Sequence, residues 1–297
     1  MAAVPELSIV VVNFNTRGLL HDCLGSIENS QAPPNFELVV VDNASTDGSA
    51  EMVESDFPWA RVIRNDANRG YAHANNLGLR GCTGRYFLLL NPDTLLPPTA
   101  LRQMVDFMEA NPEVAVAGPK LVRQDGSLDL ACRRSFPSPE VSLYRMLGLS
   151  RLFARSARFG RYNLTFLDPD QPAEVDSVVG AFMMVRASVA GEVGLLDESF
   201  FMYGEDLDWA YRIKARGWKV YYYPKVEVLH YKGASSRRHA GKATFEFYRA
   251  MYIFYKKHYA AGTNFLFGSL IVSSIWLKCA FSLARNYLRA PEARKVS

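Results

Sequence analysis

The sequence predicts an α/β protein built on a mainly parallel sheet with helices on both faces, followed by a separate helical segment at the C-terminus. Three observations carry the prediction. Over the first 110 residues, strand-like runs alternate with helix-spaced segments, the βαβα order of a parallel sheet. The runs LSIVVVN (7–13), ELVVVDN (37–43) and RYFLLLNPD (85–93) are apolar without alternation, as expected of strands covered on both faces. Polar residues gather just after those runs, where open α/β sheets bind ligands.

The elements follow in order. LSIVVVN reads as a first strand rather than a signal peptide, since no basic n-region precedes it. Leu19, Leu20, Cys23, Leu24 and Ile27 recur at helical spacing. ELVVVDN leads into ASTDGSAEMVES, which has the look of a capped helix. ARVIRN (60–65) is a third strand, 71–80 a helix with asparagines on its polar positions, RYFLLLNPD a fourth strand, and ALRQMVDFMEANP (100–112) a helix ended near proline. LVRQDGSLDL reads as a hairpin with an Asp-Gly turn. VDSVVGAFMMVR (175–186) is strand-like, WKVYYYP (218–224) and VEVLHY (226–231) two more strands, and a helix runs from the GED of FFMYGEDLDW to about Arg216. The irregular stretch 120–175 is an insertion, and residues 1–235 form the main domain with 236–297 appended.

Composition narrows the function classes. The four cysteines form no CxxC pair and read as buried thiols. No G-x-G-x-x-G follows the first strand and no G-x-x-x-x-G-K is present, so a dinucleotide or P-loop site is excluded. The net charge of +4 hides an asymmetry: residues 232–297 hold twelve Lys/Arg against two Asp/Glu, or +10, which leaves −6 for the first 231. Arg145, Arg151, Arg155, Arg158 and Arg161 form a second basic cluster with no acid between them. Two such blocks suit an anionic partner. Nucleic acid fits poorly, because the basic tail is interleaved with an apolar run of thirteen residues, Phe265–Leu277. A run of that length suits an interfacial or re-entrant helix better than a span of about 20 residues, with Tyr252, Tyr255, Tyr259 and Trp276 at headgroup depth. The competing reading is a helix pair buried in a homo-oligomer.

FFMYGEDLDW (200–209) crowds Glu205, Asp206 and Asp208 against apolar residues. A helix start explains acidic residues in a first turn. The other explanation is a carboxylate placed for chemistry.

VVVNFNTRG, VVVDNASTDGS, NRGYAHANN, LLLNPD, FFMYGEDLDW and VLHYKGAS occur in this order along the chain. Together they resemble the family 2 glycosyltransferases, inverting enzymes of the GT-A (Rossmann-like) fold. The nearest likeness is to rhamnosyltransferase-like bacterial members that build cell-surface polysaccharide on a polyprenyl carrier. The resemblance covers about residues 5–235. It implies that Asp42 holds the nucleobase of a dTDP- or UDP-sugar, with Asn13, Asn15 and Arg69 as neighbours; STDGS, read alone, serves equally as a capping turn. It places Asp93 at the metal-binding aspartate of the D-x-D motif. Asn91 replaces the first aspartate and falls to ribose or metal-bound water. His230 supplements the site for Mg²⁺ or Mn²⁺. Asp206 matches the catalytic base, Glu205 holds a sugar, Asp208 and Trp209 support the helix, and Gly180 lets a substrate approach the backbone. The implied donor sugar is L-rhamnose, with galactofuranose, glucose or GlcNAc as alternatives, and the acceptor a polyprenyl-diphosphate-linked glycan at the cytoplasmic face of the bacterial inner membrane. A sugar-nucleotide-binding scaffold without turnover is the reading that Asn91 leaves open.

Overall fold

The computed structural model describes residues 4–231 and 240–289. The KGAS of the last motif and the expected 235/236 boundary lie outside the described residues. Nine strands form one sheet: β1 (Leu7–Asn13), β2 (Phe36–Asp42), β3 (Arg61–Arg64), β4 (Tyr86–Leu90), β5 (Thr94–Leu95), β6 (Val114–Val122), β7 (Ala173–Val175), β8 (Phe182–Arg186) and β9 (Lys219–His230). The helices are α1 (Arg17–Glu28), α2 (Ser49–Asp56), α3 (Tyr71–Leu79), α4 (Ala100–Ala110), α5 (Pro139–Met146), α6 (Leu149–Leu152), α7 (Ala187–Val193), α8 (Glu205–Lys214), α9 (Ala240–His258) and α10 (Phe265–Tyr287).

The sheet runs β3-β2-β1-β4-β8-β6-β9, with β5 and β7 on the outer edge of β9. β3, β2, β1 and β4 are mutually parallel. β8 is antiparallel to both β4 and β6, which makes β6 parallel to β4, and β9 is parallel to β6. This is the expected mainly parallel sheet with one reversed strand through its middle. Every residue of β1 and of β4 is buried, which is why these strands read as unbroken apolar runs. α1 turns Leu20, Cys23, Leu24 and Ile27 inward at helical spacing.

The topology gathers several strand ends at one edge. β1, β2 and β4 end there at Asn13, Asp42 and Leu90. β6 and β9 end there too, with Val122 paired to Leu229. The reversed β8 begins there, with Phe182 opposite Leu90. Segments entering or leaving the sheet at that edge carry the candidate site.

Three expectations need correction. The two strands at 218–224 and 226–231 are one strand, β9, carrying a register shift between its pairings at Tyr223 and Glu227; Pro224 falls inside this irregular stretch, where no ladder donor is needed. The 121–130 hairpin is a turn closed by one bridge, Val122 to Leu128, before the chain enters a short 3₁₀ turn at Leu130–Cys132. In VDSVVGAFMMVR, Val175 ends β7 and Phe182–Arg186 is β8; 176–181 between them leaves the ladder. The insertion holds α5 and α6.

α9 and α10 pack outside the main core. Phe200 and Leu207 join Ala250 and Phe254 in one apolar cluster, and Tyr248 joins Ile275 and Cys279 in a second. α9 is thereby docked onto α8, and α10 onto α9.

Candidate active site

The first part of the site lies where β1 and β2 end. Asn13 is fully buried and donates from Nδ2 to Asp42 Oδ1 and to Ser45 Oγ, both at 3.1 Å. Asp42 Oδ2 accepts the Ser45 N–H at 2.9 Å, so Asp42 does form the local turn that its sequence allowed. Asn15, at φ 53°, accepts the Thr46 N–H at 2.8 Å. Asn43 bonds Asn65 and Asn68, each at 3.0 Å. Asn13, Asn15 and Asp42 thus stand in one hydrogen-bonded corner. Arg69 is not part of it: its chain neighbours Asn68 and Gly70 meet Asn43, but its guanidinium turns outward to Asp66 at 3.1 Å.

The second part lies between β4 and β9. Asn91 is tied by its backbone, its N–H donating to Ala181 O at 3.0 Å. Asp93 is buried, and the Tyr231 N–H donates to its carbonyl at 2.8 Å. His230 Nε2 lies 3.3 Å from Asp93 Oδ1, and Nδ1 lies 3.1 Å from Asp129 Oδ2. Burial disfavours charge on the His230 ring, yet the adjoining carboxylates of Asp129 and Asp93 outweigh it and raise its pKa to about 9. Asp93 Oδ1 has no hydrogen-bond partner among the described residues. Asp93 and His230 thus lie together as two side chains that could hold a cation, with Asp129 on the other ring nitrogen of the imidazole. No group of three His, Cys, Asp or Glu able to hold a metal occurs among the described residues. This donor set fits a cation that draws its remaining ligands from a diphosphate and water, the habit of Mg²⁺.

The third part is the start of α8. Tyr203 and Gly204 both adopt positive φ, 68° and 80°, to turn the chain into the helix. Gly70, at φ 97°, lets α3 approach that loop: a Cβ there would lie 2.4 Å from Phe201 O, and the Tyr71 N–H donates to this same oxygen at 2.7 Å. Tyr71 Oη donates to Gly180 O at 2.9 Å, and the Gly180 N–H donates to Asp206 Oδ2 at 3.0 Å. A Cβ on Gly180 would face the Tyr71 hydroxyl at 3.4 Å, so what approaches this glycine closely is Tyr71 of the protein itself. Asn43, Gly70, Tyr71, Gly180 and Asp206 form a continuous path of contacts from the β2 corner to the carboxylates.

The three acids of FFMYGEDLDW have separate fates. Asp206 Oδ2 accepts from Arg134 Nη2 at 2.7 Å. Glu205 is buried, its Oε2 has no hydrogen-bond partner among the described residues, and burial with the charge of Asp206 raises its pKa. Burial and the adjacent charge thus favour the protonated form of Glu205. Asp208 is fully buried and points away, to Arg212 Nε, His258 Nε2 and Lys257 Nζ, each at 2.8 Å. Trp209 is fully buried and donates from Nε1 to Gly194 O at 2.8 Å, a structural role.

Comparison with known proteins fits this layout. Residues 8–193 match Glycosyl transferase family 2. The chain belongs to that family. The glycosyltransferase is 27% identical to the N-acetylglucosaminyl-diphospho-decaprenol L-rhamnosyltransferase of Mycobacterium tuberculosis, over 98% of this chain and 96% of the relative. It is 27% identical to a low-salt glycan biosynthesis hexosyltransferase of Haloferax volcanii, over 76% of this chain and 67% of that one. Among solved structures it superposes on a mannosyltransferase of Pyrobaculum calidifontis in complex with GDP-Man and Mn²⁺, at TM-score 0.56 and 19% identity, covering 95% of this chain and 84% of that one. It superposes also on S. aureus TarS at TM-score 0.53 and 17% identity, covering 94% of this chain and 73% of that one. The GT-A fold expected from the six motifs is therefore the fold of this glycosyltransferase.

Sequence reasoning passed over Arg134, Asp129 and Tyr71. The signal for Arg134 was faint but present: Arg133 and Arg134 stand as adjacent charges in CRRSFPSP, apart from the cluster at 145–161. Arg133 is spent on the carbonyls of Leu167 and Asp168, each at 2.9 Å.

Proposed function

We propose that this glycosyltransferase transfers L-rhamnose from dTDP-rhamnose to a polyprenyl-diphosphate-linked glycan, with inversion, at the cytoplasmic face of the membrane. The observation that carries the reading is the near end-to-end similarity to a rhamnosyltransferase whose name specifies a GlcNAc-diphospho-decaprenol acceptor. It extends past the family match, which ends at residue 193, and through α8 to α10.

In this reading the corner of Asn13, Asn15 and Asp42 receives the nucleoside. Asp93 and His230 would hold Mg²⁺ or Mn²⁺, with Asn91 beside them in the chain. When bound, the cation would supply positive charge to the leaving diphosphate. Asp206 takes the proton of the acceptor hydroxyl as that oxygen bonds to the anomeric carbon and the bond to the nucleoside diphosphate breaks. Glu205 donates a hydrogen bond to a sugar oxygen from its buried position beside the base. Arg69 reaches the diphosphate only by releasing Asp66.

The test is a donor screen. Purified full-length protein is incubated with dTDP-rhamnose and with UDP- and GDP-sugars, in the presence and absence of a synthetic GlcNAc-diphospho-lipid. Turnover of dTDP-rhamnose that rises with the acceptor is expected. Preference for UDP-galactofuranose, UDP-glucose or UDP-GlcNAc moves the donor assignment. Binding without turnover of any donor makes the protein a scaffold.

A further inference from the structure

Among the described residues, Arg134 is the side chain through which the 120–175 insertion hydrogen-bonds to the carboxylate pair, and its backbone is pinned. Its N–H donates to Ser177 O at 2.9 Å, and its carbonyl accepts the N–H groups of Asp176 and Ser177, both at 3.0 Å. The side chain is more than nine-tenths buried. From Nη2 it donates to Val178 O at 2.8 Å and to Asp206 Oδ2 at 2.7 Å. Its Nε has no partner among the described residues.

The contacts of Asp206 can be assigned atom by atom. A carboxylate offers about four acceptor positions, two on each oxygen. Oδ2 receives Arg134 Nη2 and the Gly180 N–H at 3.0 Å, and is full. Among the described residues Oδ1 receives only the Leu207 N–H, at 2.7 Å. One acceptor position remains, on Oδ1. Three donors from three segments, namely the insertion, the 176–181 loop and the first turn of α8, fix the plane of the group and leave this position open.

We infer that Arg134 is a positioning residue for the base: with the Gly180 N–H it occupies Oδ2 of Asp206, so that the acceptor's proton is delivered to Oδ1. This deepens the reading of Asp206 as the base and rests on it. The guanidinium suits the task because the two hydrogens of Nη2 diverge in its fixed plane and serve Val178 O and Asp206 Oδ2 together, tying the carboxylate to the loop that carries Gly180. A lysine keeps the charge but has no such plane to hold its donors in place.

The experiment uses full-length protein with dTDP-rhamnose, or whichever UDP- or GDP-sugar the native chain turns over fastest, and the synthetic GlcNAc-diphospho-lipid. Arg134→Lys, Arg134→Met, Asp206→Asn and the double variant Arg134→Met/Asp206→Asn are compared. Arg134→Lys is expected to lose about tenfold, and Arg134→Met about a hundredfold, in kcat, within the span of general-base catalysis. The donor KM should stay within about twofold, because the nucleotide corner is untouched. Added guanidinium should restore part of the kcat of Arg134→Met. In the Asp206→Asn background, Arg134→Met should cost little more, since residues acting as one unit are not additive. If Arg134→Met fails to fold, Arg134→Lys and the double variant, which leaves no unpaired buried carboxylate, carry the test. The proposal is overturned if both Arg134 variants keep native kcat, or if Arg134→Met costs as much on top of Asp206→Asn as it does alone. Near-native turnover of Asp206→Asn overturns the base assignment and this inference with it; a dead Asp206→Asn beside native Arg134 variants overturns this inference alone.

Discussion

Single side chains at this site differ more in their surroundings than in their chemistry. Glu205 and Asp206 are adjacent carboxylates, both buried, yet one meets a guanidinium and two backbone N–H groups while the Oε2 of the other meets none among the described residues. Environment divides such pairs into acid and base. Asp206→Asn is therefore expected to lower turnover about 10²–10⁴-fold with donor binding retained. Glu205→Gln keeps a donor in place and should cost far less; a dead Glu205→Gln beside an active Asp206→Asn would exchange the roles. At the cation end, His230 is aimed by Asp129. Loss of such an outer partner weakens metal affinity roughly 10–100-fold. Asp129→Asn should show this as a weaker Mn²⁺ titration in the presence of nucleoside diphosphate, read by calorimetry, and excess chelator should abolish turnover of the native chain. The sequence made Asp206, Asp93 and His230 legible because they sit in motifs that recur in order. It hid Asp129 and Arg134, whose roles come from contacts 101 and 72 residues away. No local pattern encodes a separation of that size.

Elements were legible in proportion to how completely they are buried. β1, β2 and β4 announced themselves as unbroken apolar runs, and α1 and α4 as amphipathic periodicity. β9 was misdivided because Pro224 is a strong breaker sign, whereas the register shift lets the strand continue past it. α8 is the element on which most depends, since its first turn carries Asp206, the proposed base, and its outer side carries Asp208. That carboxyl joins Arg212 of its own helix to Lys257 and His258 of α9, and Lys257 reaches Asp197 as well. Burial alone would raise the Asp208 pKa; the bonds to His258, Lys257 and Arg212 prevail and hold it at about 2. A carboxyl depressed in the folded state stabilises above its unfolded value, near 4, and that stabilisation is lost as pH falls through about 2. Asp208→Asn should therefore lower stability by on the order of 3 kcal/mol near neutral pH, the low end for a broken buried pair because Lys257 and Arg212 keep some water contact. The deficit against the native chain should shrink below pH 4, as followed by urea denaturation at several pH values. An unchanged midpoint at pH 7 would show that α9 is held by its apolar cluster alone.

At the scale of the molecule, the proposed function requires the sheet edge that gathers the site and the helices that α8 recruits to meet an acceptor fixed in a lipid bilayer. The apolar run legible in the sequence is thirteen residues long, whereas α10 is a continuous helix of 23, long enough and apolar enough by composition to cross a membrane. Its surroundings argue for lying in the interface. Ile275, Cys279, Ser282 and Asn286 face α9, with Ser282 Oγ 2.9 Å from Tyr248 Oη and Asn286 Nδ2 3.2 Å from Thr244 Oγ1. Lys278 Nζ donates to Met146 O at 3.3 Å, which joins α10 to the basic insertion. A helix packed along one side onto a globular body offers only its other side to lipid. That side carries Leu266, Leu270, Leu277 and Phe281, all exposed at helical spacing. Each gains about 1.5–3 kcal/mol when fully buried, and each nearby Lys or Arg adds about 1 kcal/mol at an anionic surface. Removing α10 would strip the cover from α9 and confound the result, so the exposed side chains are the better target. The triple variant Leu270→Glu, Leu277→Glu, Phe281→Glu should keep its thermal midpoint and donor binding, should no longer float with phosphatidylglycerol liposomes, and should lose transfer to a long-chain lipid acceptor while retaining it for a short soluble analogue. A triple variant that still floats would move the contact to the basic insertion. One that loses liposome binding together with its native oligomeric state would make this face a contact between copies of the chain.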